Sequence, residues 1–184
     1  MALFTAGQRI LAAYENQVAL IATTTLSTST ASVTFSSIPA YNNLSLKWHA
    51  AGDASAIVGE QINIQVNGVV TANYVQEKLE ANTTTVTGTL TTGSTNAQIG
   101  TIPGASRASG YMGAGSLEMP GIQDALNHQS FVSMATAIAT NSASFVGVYA
   151  GMLAAGTAPI TTLTVFPAAS NFVAGSVFSL YGWM

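Results

Sequence analysis

Short segments in which apolar and polar residues alternate fill most of the chain, and clusters of Gly, Asn, Ser and Pro separate them. In residues 43–51 the apolar residues Leu44, Leu46 and Trp48 occupy every second position, and residues 60–66 repeat this pattern. A period of two is typical of a strand with one buried face. Many short strands of this kind predict an all-β fold, an antiparallel β-sandwich.

The predicted strands, in chain order, cover residues 17–26, 31–36, 43–51, 60–66, 69–74, 83–91, 117–122, 131–138, 144–152, 160–166 and 176–183. Asn67-Gly68 is typical of a type I′ turn. We therefore expect the strands on either side of this dipeptide to form a hairpin.

Parts of the middle region lack this alternation. Residues 100–115 contain five glycines and Pro103, which predicts an irregular loop. A second loop is expected at residues 92–96. Residues 74–79 have a pattern that is compatible with a short helical stretch.

The chain is expected to consist of an N-terminal arm, residues 1–16, and a single β-sandwich domain, residues 17–184. Leu11, Tyr14 and Val18 lie three and four residues apart, which indicates an amphipathic helical turn in or beside the arm. So short a helix needs a partner surface to be stable.

Charged residues make up only 6% of the chain, and residues 125–184 contain no Asp, Glu, Lys or Arg. Ordinary soluble domains contain about 25%. The mean hydropathy of +0.40 argues against disorder. Four basic residues form no patch for phosphates, so we expect no nucleic-acid partner. The low charge favours a protein that is covered by partners in an assembly.

The sequence gives no indication of a membrane partner or of secretion. The longest apolar candidate, residues 143–158, contains three glycines and falls short of the roughly 20 apolar residues of a membrane-spanning helix. The N-terminal residues lack the basic-then-apolar order of a signal peptide, which predicts synthesis in the cytoplasm.

Candidate metal ligands are few and poorly placed. The two histidines, His49 and His128, each lie four residues from an aspartate, Asp53 and Asp124. Transition-metal sites need three or four converging ligands, and the strand pattern around His49 does not bring such a pair together. The chain also contains no cysteine. We expect no metal ion and no cofactor.

Catalytic motifs are also incomplete. The segment 104–108 resembles a nucleophile elbow but ends in Ala108 instead of glycine. Glu77 and Glu80 could act as a carboxylate pair for glycoside hydrolysis if residues 74–79 were helical. Carboxylates at this spacing more often lie on a solvated surface. We therefore predict that the protein is not an enzyme and has no catalytic residues.

Several segments resemble a group of small structural proteins of tailed bacteriophages. In that group a strand pair is joined by a loop of the form Asn-Phe-x-x-Gly-Ser, and the chain closes on Phe-Ser-Leu-Tyr-Gly. Residues 171–176 and 178–182 have these sequences. Residues 31–39 are similar to the opening strands of the group, and residues 62–68 to its hairpin. Residues 4–8 resemble the leader of phage head and tail appendage proteins.

This resemblance implies a jelly-roll-like sandwich, a location in the virion and a homo-oligomer, a trimer. We expect a capsid decoration or cement protein that stabilises the head by bridging subunits of the major capsid protein. The alternative is a tail or tail-fibre component in contact with the host. A third hypothesis is a carbohydrate-binding module, for which Tyr111 near Glu118 is the candidate site.

Aromatic and long side chains near the two ends of the sequence are expected to contact partners, because aromatic residues are enriched at interfaces. The predicted interface residues are Phe4, Arg9, Leu11, Tyr14, Tyr181 and Trp183.

Overall fold

A computed structural model describes residues 18–54, 58–124, 126–140, 142–154 and 158–184. These residues form twelve strands: β1 (Ala19–Thr25), β2 (Val33–Phe35), β3 (Asn43–Ala50), β4 (Gly59–Val66), β5 (Tyr74–Asn82), β6 (Thr85–Ser94), β7 (Ala97–Pro103), β8 (Gly113–Met119), β9 (Ser130–Thr140), β10 (Ala143–Leu153), β11 (Leu163–Pro167) and β12 (Val177–Trp183). The predicted arm, residues 1–16, and its helical turn lie outside the described residues.

The strands form two sheets in which neighbouring strands are antiparallel. One sheet has eight strands in the order β1-β12-β3-β8-β9-β10-β5-β6, and the other has four in the order β2-β11-β4-β7. The prediction of an all-β antiparallel sandwich is therefore confirmed.

Eight of the strands form a framework that is divided equally between the two sheets. β1, β3, β8 and β12 lie side by side in the larger sheet, and β2, β4, β7 and β11 make up the smaller one. The hairpins β5–β6 and β9–β10 are inserted into this framework and extend the larger sheet on one side. The larger sheet is consequently wider than the smaller sheet that covers it.

The core lies between the two sheets and consists of the inward-facing residues that the alternating pattern predicts. Leu44, Leu46 and Trp48 of β3 are buried, as are Ile62 and Ile64 of β4. Such side chains contribute roughly 1.5–3 kcal/mol each on burial. The alternating sequence thus specifies which face of each framework strand is covered.

The predicted hairpin after β4 is wrong, although its turn is present. Asn67 and Gly68 both have positive φ, at 50° and 67°. The Asn67 side chain, however, accepts hydrogen bonds from the backbone N–H groups of Thr161 and Thr162, at 2.9 and 3.1 Å. These bonds tie the turn to the segment before β11. The chain then leaves the smaller sheet, and Tyr74 begins β5 in the larger one.

Two further predictions for the middle region are wrong. Residues 100–115 are not one irregular loop, because β7 ends at Pro103 and β8 begins at Gly113. Residues 74–79 are extended in β5 and are not helical. In both places packing between the sheets, and not local propensity, determines the backbone conformation.

Candidate interaction surface

The outward face of the inserted hairpins carries large apolar side chains that are open to solvent. Met134 on β9 is 62% exposed, and Val146 on β10 is 57% exposed. We call this surface the outer apolar face. It consists of Leu79, Val86, Leu90, Val132, Met134, Ile138, Val146, Val148 and Met152.

The strand register aligns these side chains in rows across the sheet. Met134 lies opposite Val148, and Val148 lies opposite Leu79. In a parallel row, Val146 lies opposite Ala81, which lies opposite Val86. Directly opposed residues of antiparallel strands have Cβ atoms about 5 Å apart, so the rows form continuous apolar stripes.

Strands β9 and β10 are apolar on both faces, and this explains the exposed surface. The inward positions of β9 hold Phe131, Ala135 and Ala137, which are buried against the smaller sheet. Its outward positions hold Val132 and Met134, which nothing covers in the described chain. Antiparallel sheets normally place polar residues on the face toward water. A contiguous exposed apolar patch therefore indicates an interaction site.

Two shallow grooves follow the rows. One, of about 410 Å³, is lined by Met134, Val146 and Val148. The other, of about 440 Å³, lies beside Leu79 and Gly88. Both are open depressions in a sheet surface, which suits the side chains of a facing protein surface better than a small molecule enclosed in a pocket.

Few charges lie in or beside the outer apolar face. Glu118 on β8 lies opposite Val132, and its carboxylate accepts a hydrogen bond of 2.7 Å from the Ser45 hydroxyl. Glu77 on β5 points outward within the face, opposite Leu90. A partner surface that is mainly apolar, with a polar group opposite Glu77, would match this face, because a charge buried without a partner is costly.

Two of the predicted interface residues lie on the same side of the larger sheet. Tyr181 and Trp183 occupy alternate, half-exposed positions of β12, and the Lys47 Nζ lies 5.6 Å from the centroid of the Tyr181 ring. Phe4, Arg9, Leu11 and Tyr14 lie outside the described residues. The interface role of all six stays a prediction.

On the inward side of the two hairpins that extend the larger sheet, polar side chains occupy the interior. Glu80 points inward and accepts hydrogen bonds from the hydroxyls of Tyr149 and Thr101, the latter at 2.6 Å. Lys78 Nζ lies 3.8 Å from the same carboxylate. Burial and the neighbouring Glu80 raise the pKa of Tyr149 well above its ordinary value. Because these groups satisfy one another, they fix β5 and β10 against β7.

The candidate carboxylate pair does not form. Glu77 and Glu80 are an odd number of residues apart on a strand, so their side chains point to opposite faces of the sheet. Tyr111 lines a groove of about 390 Å³ with His49 and Ile138, and Glu118 is not among the residues that line it. The geometry therefore offers no paired acid and base at either place.

At one end of the sandwich, carboxylates hold loops together. Asp53 accepts hydrogen bonds from the Asn171 backbone N–H at 2.9 Å and from the Ser29 hydroxyl at 2.7 Å. These bonds lower the pKa of Asp53. Buried Glu60 accepts bonds from the Ala169 backbone N–H and the Ser170 hydroxyl. Both carboxylates thus act as caps for the segment between β11 and β12.

Across the described ranges, no three His, Cys, Asp or Glu side chains converge in a way that could hold a metal ion. The described residues also include no helix of the length and apolarity needed to span a membrane. Comparisons with known protein families, with curated proteins and with solved structures found no match to this chain.

Proposed function

We propose that this protein is a non-enzymatic structural component of a phage virion, a decoration or cement protein that bridges major capsid protein subunits. The observation that carries the structural role is the outer apolar face, with Met134 and Val148 exposed at its centre. The placement on the capsid rests on the resemblance of residues 171–182 to small structural proteins of tailed phages.

The strand order supports the jelly-roll part of the proposal. Without the two inserted hairpins, the sheets have the orders β1-β12-β3-β8 and β2-β11-β4-β7. Successive strands of this framework alternate between two four-stranded sheets, except that β4 and β7 share the smaller one, as in the double Greek key of a jelly roll, a fold common among capsid proteins.

The dimensions of the outer apolar face suit a small protein contact. Four strands about 4.8 Å apart, each contributing about seven residues at roughly 3.3 Å, give a face on the order of 440 Å². Covering it would bury on the order of 900 Å² in total, slightly less than the roughly 1,000 Å² expected of a specific interface, so a single contact would be weak. Many copies bound to one shell would add their contacts and raise the force needed to separate subunits.

The first experiment is to determine copy number and position in purified virions, by quantitative gel electrophoresis and electron cryomicroscopy. Hundreds of copies over the head would support the proposal, and the same maps would test the trimer that the resemblance implies. A few copies at the tail would contradict the cement role and favour the tail alternative.

A variant pair tests whether the outer apolar face makes the contact. Val148→Glu places a charge at its centre, and Gln61→Glu places the same charge at an exposed position on the smaller sheet. We expect stripped capsids to rebind the Gln61→Glu protein like wild type and to lose at least ten-fold affinity for Val148→Glu. Equal binding of both variants would contradict this use of the face.

A further inference from the structure

We propose that strand β6 binds a second copy of this chain, by antiparallel pairing of the two β6 strands about a two-fold axis at Gly88. β6 is the last strand of the larger sheet, and among the described strands it pairs only with β5. In an antiparallel ladder every second residue turns its backbone N–H and C=O away from its partner. β6 therefore presents a row of donors and acceptors along an open edge.

From Thr85 to Thr91 this edge has none of the usual protection, and the pairing with β5 shifts register only beyond Thr91. Natural edge strands are short, covered, or interrupted by charged residues or proline. β6 is ten residues long, contains no charged residue and no proline, and is exposed on both faces over most of its length. The edges of the smaller sheet differ, because β2 has three residues and β7 is buried throughout. β6 is thus open to pairing in a way that these edges are not.

The sequence of β6 is complementary to its own reverse. Residues 85–91 read Thr-Val-Thr-Gly-Thr-Leu-Thr, a palindrome about Gly88 apart from the exchange of Val for Leu. A two-fold contact brings a surface against a copy of itself. With the axis at Gly88, Val86 lies opposite Leu90 of the second copy, and each Thr lies opposite a Thr. Aliphatic pairs and Thr–Thr pairs are both favourable across antiparallel strands.

The fold of a single copy does not explain why residue 88 is a glycine. A Cβ built on it would meet only the Lys78 carbonyl oxygen, at 3.9 Å, and its φ is not in the left-handed region. Glycine inside a strand weakens it and often marks a site where another backbone approaches closely. The two-fold pairing supplies that backbone at the centre of the palindrome.

The pairing would also enlarge the outer apolar face. Val86 and Leu90 lie on that face, so joining two β6 strands makes the apolar rows of both copies continuous. This enlargement has a use only if the outer apolar face makes contacts, so here the inference rests on the proposed structural function. It adds a second copy of the chain as a partner. This contact joins two copies into a dimer, whereas the resemblance implies a trimer. A dimer and a trimer are distinguishable by their molecular mass.

Cysteine cross-linking tests the pairing, because the chain contains no cysteine of its own. Opposed residues of antiparallel strands have Cα atoms about 4.5–5.5 Å apart, within the range that a disulfide spans. Gly88→Cys should therefore cross-link two copies under mild oxidation. Val86→Cys is the matched control, because the two Val86 positions would lie about 13 Å apart along the paired strands.

We expect Gly88→Cys to form the disulfide-linked dimer at least ten-fold faster than Val86→Cys, and the double variant Val86→Cys/Leu90→Cys to cross-link as well. Light scattering of the wild-type protein should show a mass that rises from monomer toward dimer with concentration. Equal cross-linking rates for Gly88→Cys and Val86→Cys, or a trimer as the first oligomer, would overturn the inference. Neither result bears on capsid rebinding, which tests the proposed function separately.

Discussion

The indole ring of Trp48 lies directly against the backbone of Gly115, so that a Cβ on Gly115 would come within 2.1 Å of Trp48 Cζ2. The two residues are opposite each other on β3 and β8. Gly100 on the facing sheet leaves space for the same ring, since a Cβ there would lie 3.2 Å from Cζ2. The buried tryptophan is thus accommodated by glycines in both sheets.

Gly115→Ala should destabilise the protein by about 1–3 kcal/mol, because an added methyl in a packed core displaces a rigid ring. Urea denaturation would measure the loss in free energy of unfolding. Gly88→Ala is the matched control, since a Cβ there meets open space, and it should change the free energy by less than 1 kcal/mol at low protein concentration. Equal losses for both variants would show that the ring contact is not the cause.

Stability should fall as the pH rises above about 10, because the pKa values of Tyr149 and Tyr74 are raised by burial. In the unfolded chain both tyrosines lose their protons near pH 10. The folded state keeps its protons to a higher pH, so deprotonation stabilises the unfolded state first. Denaturation midpoints measured between pH 8 and 11.5 should decline.

Tyr149→Phe should flatten that decline. It removes one buried titrating group and also one hydrogen bond to Glu80, so its stability at pH 7 should be lower by about 1 kcal/mol. A decline as steep as that of the wild type would exclude Tyr149 as the alkaline-sensitive group.

At low pH the carboxylate of Asp53 should matter more than that of Asp124, although hydrogen bonds lower the pKa of both. The stabilisation that each provides is present above the unfolded pKa of about 3.9 and is lost as the pH falls through the folded pKa. The Asp53 carboxylate joins Ser29 to Asn171, whereas the Asp124 carboxylate bonds, among the described residues, to the neighbouring Leu126 and Asn127.

We therefore expect Asp53→Asn to reduce the dependence of thermal midpoints on pH between 5 and 2, and Asp124→Asn to leave it nearly unchanged. Scanning calorimetry over this range makes the comparison. If the thermal midpoints of the two variants depended on pH in the same way below pH 5, the role of Asp53 as a link between distant segments would be contradicted.

Met134→Glu should leave stability within about 0.5 kcal/mol of wild type, since the side chain is 62% exposed. It should also lower binding of an apolar fluorescent dye, because it interrupts the central row of the outer apolar face. Ala135→Glu, one residue away but facing the core, should instead prevent stable folding. Dye binding and circular dichroism distinguish these outcomes.

The framework strands could be predicted from sequence because their apolar residues alternate. β3 and β4 follow this rule, and both were predicted close to their observed bounds. β7 was missed because Gly100 and Pro103 are loop signals when read locally. The structure gives Gly100 a packing reason, since Trp48 and Ala135 fill the space where its side chain would be. That reason is a contact between distant strands, which local sequence does not show.

The outer apolar face was not predicted, although a signal was present. Residues 131–138 and 144–152 are apolar at both odd and even positions, for example Ala135 beside Met134. Strands that are apolar on both faces indicate burial on both sides, but the sequence does not show that a covering layer is absent. The predicted interface residues instead lie near the two ends of the sequence, and of their aromatic members Tyr181 and Trp183 are among the described residues.

The order of pairing in the larger sheet has a consequence for how the chain folds. The hairpins β5–β6 and β9–β10 pair residues that are close in sequence, whereas β1 pairs with β12, and Thr23 bonds to Ser179 across 156 residues. Closing so long a loop costs entropy before its contacts are made. Pulse-labelled hydrogen exchange should therefore find the hairpins protected before β1 and β12. The strands that carry the outer apolar face would then be formed while the framework is still open, so the nascent chain is most prone to associate before it is finished.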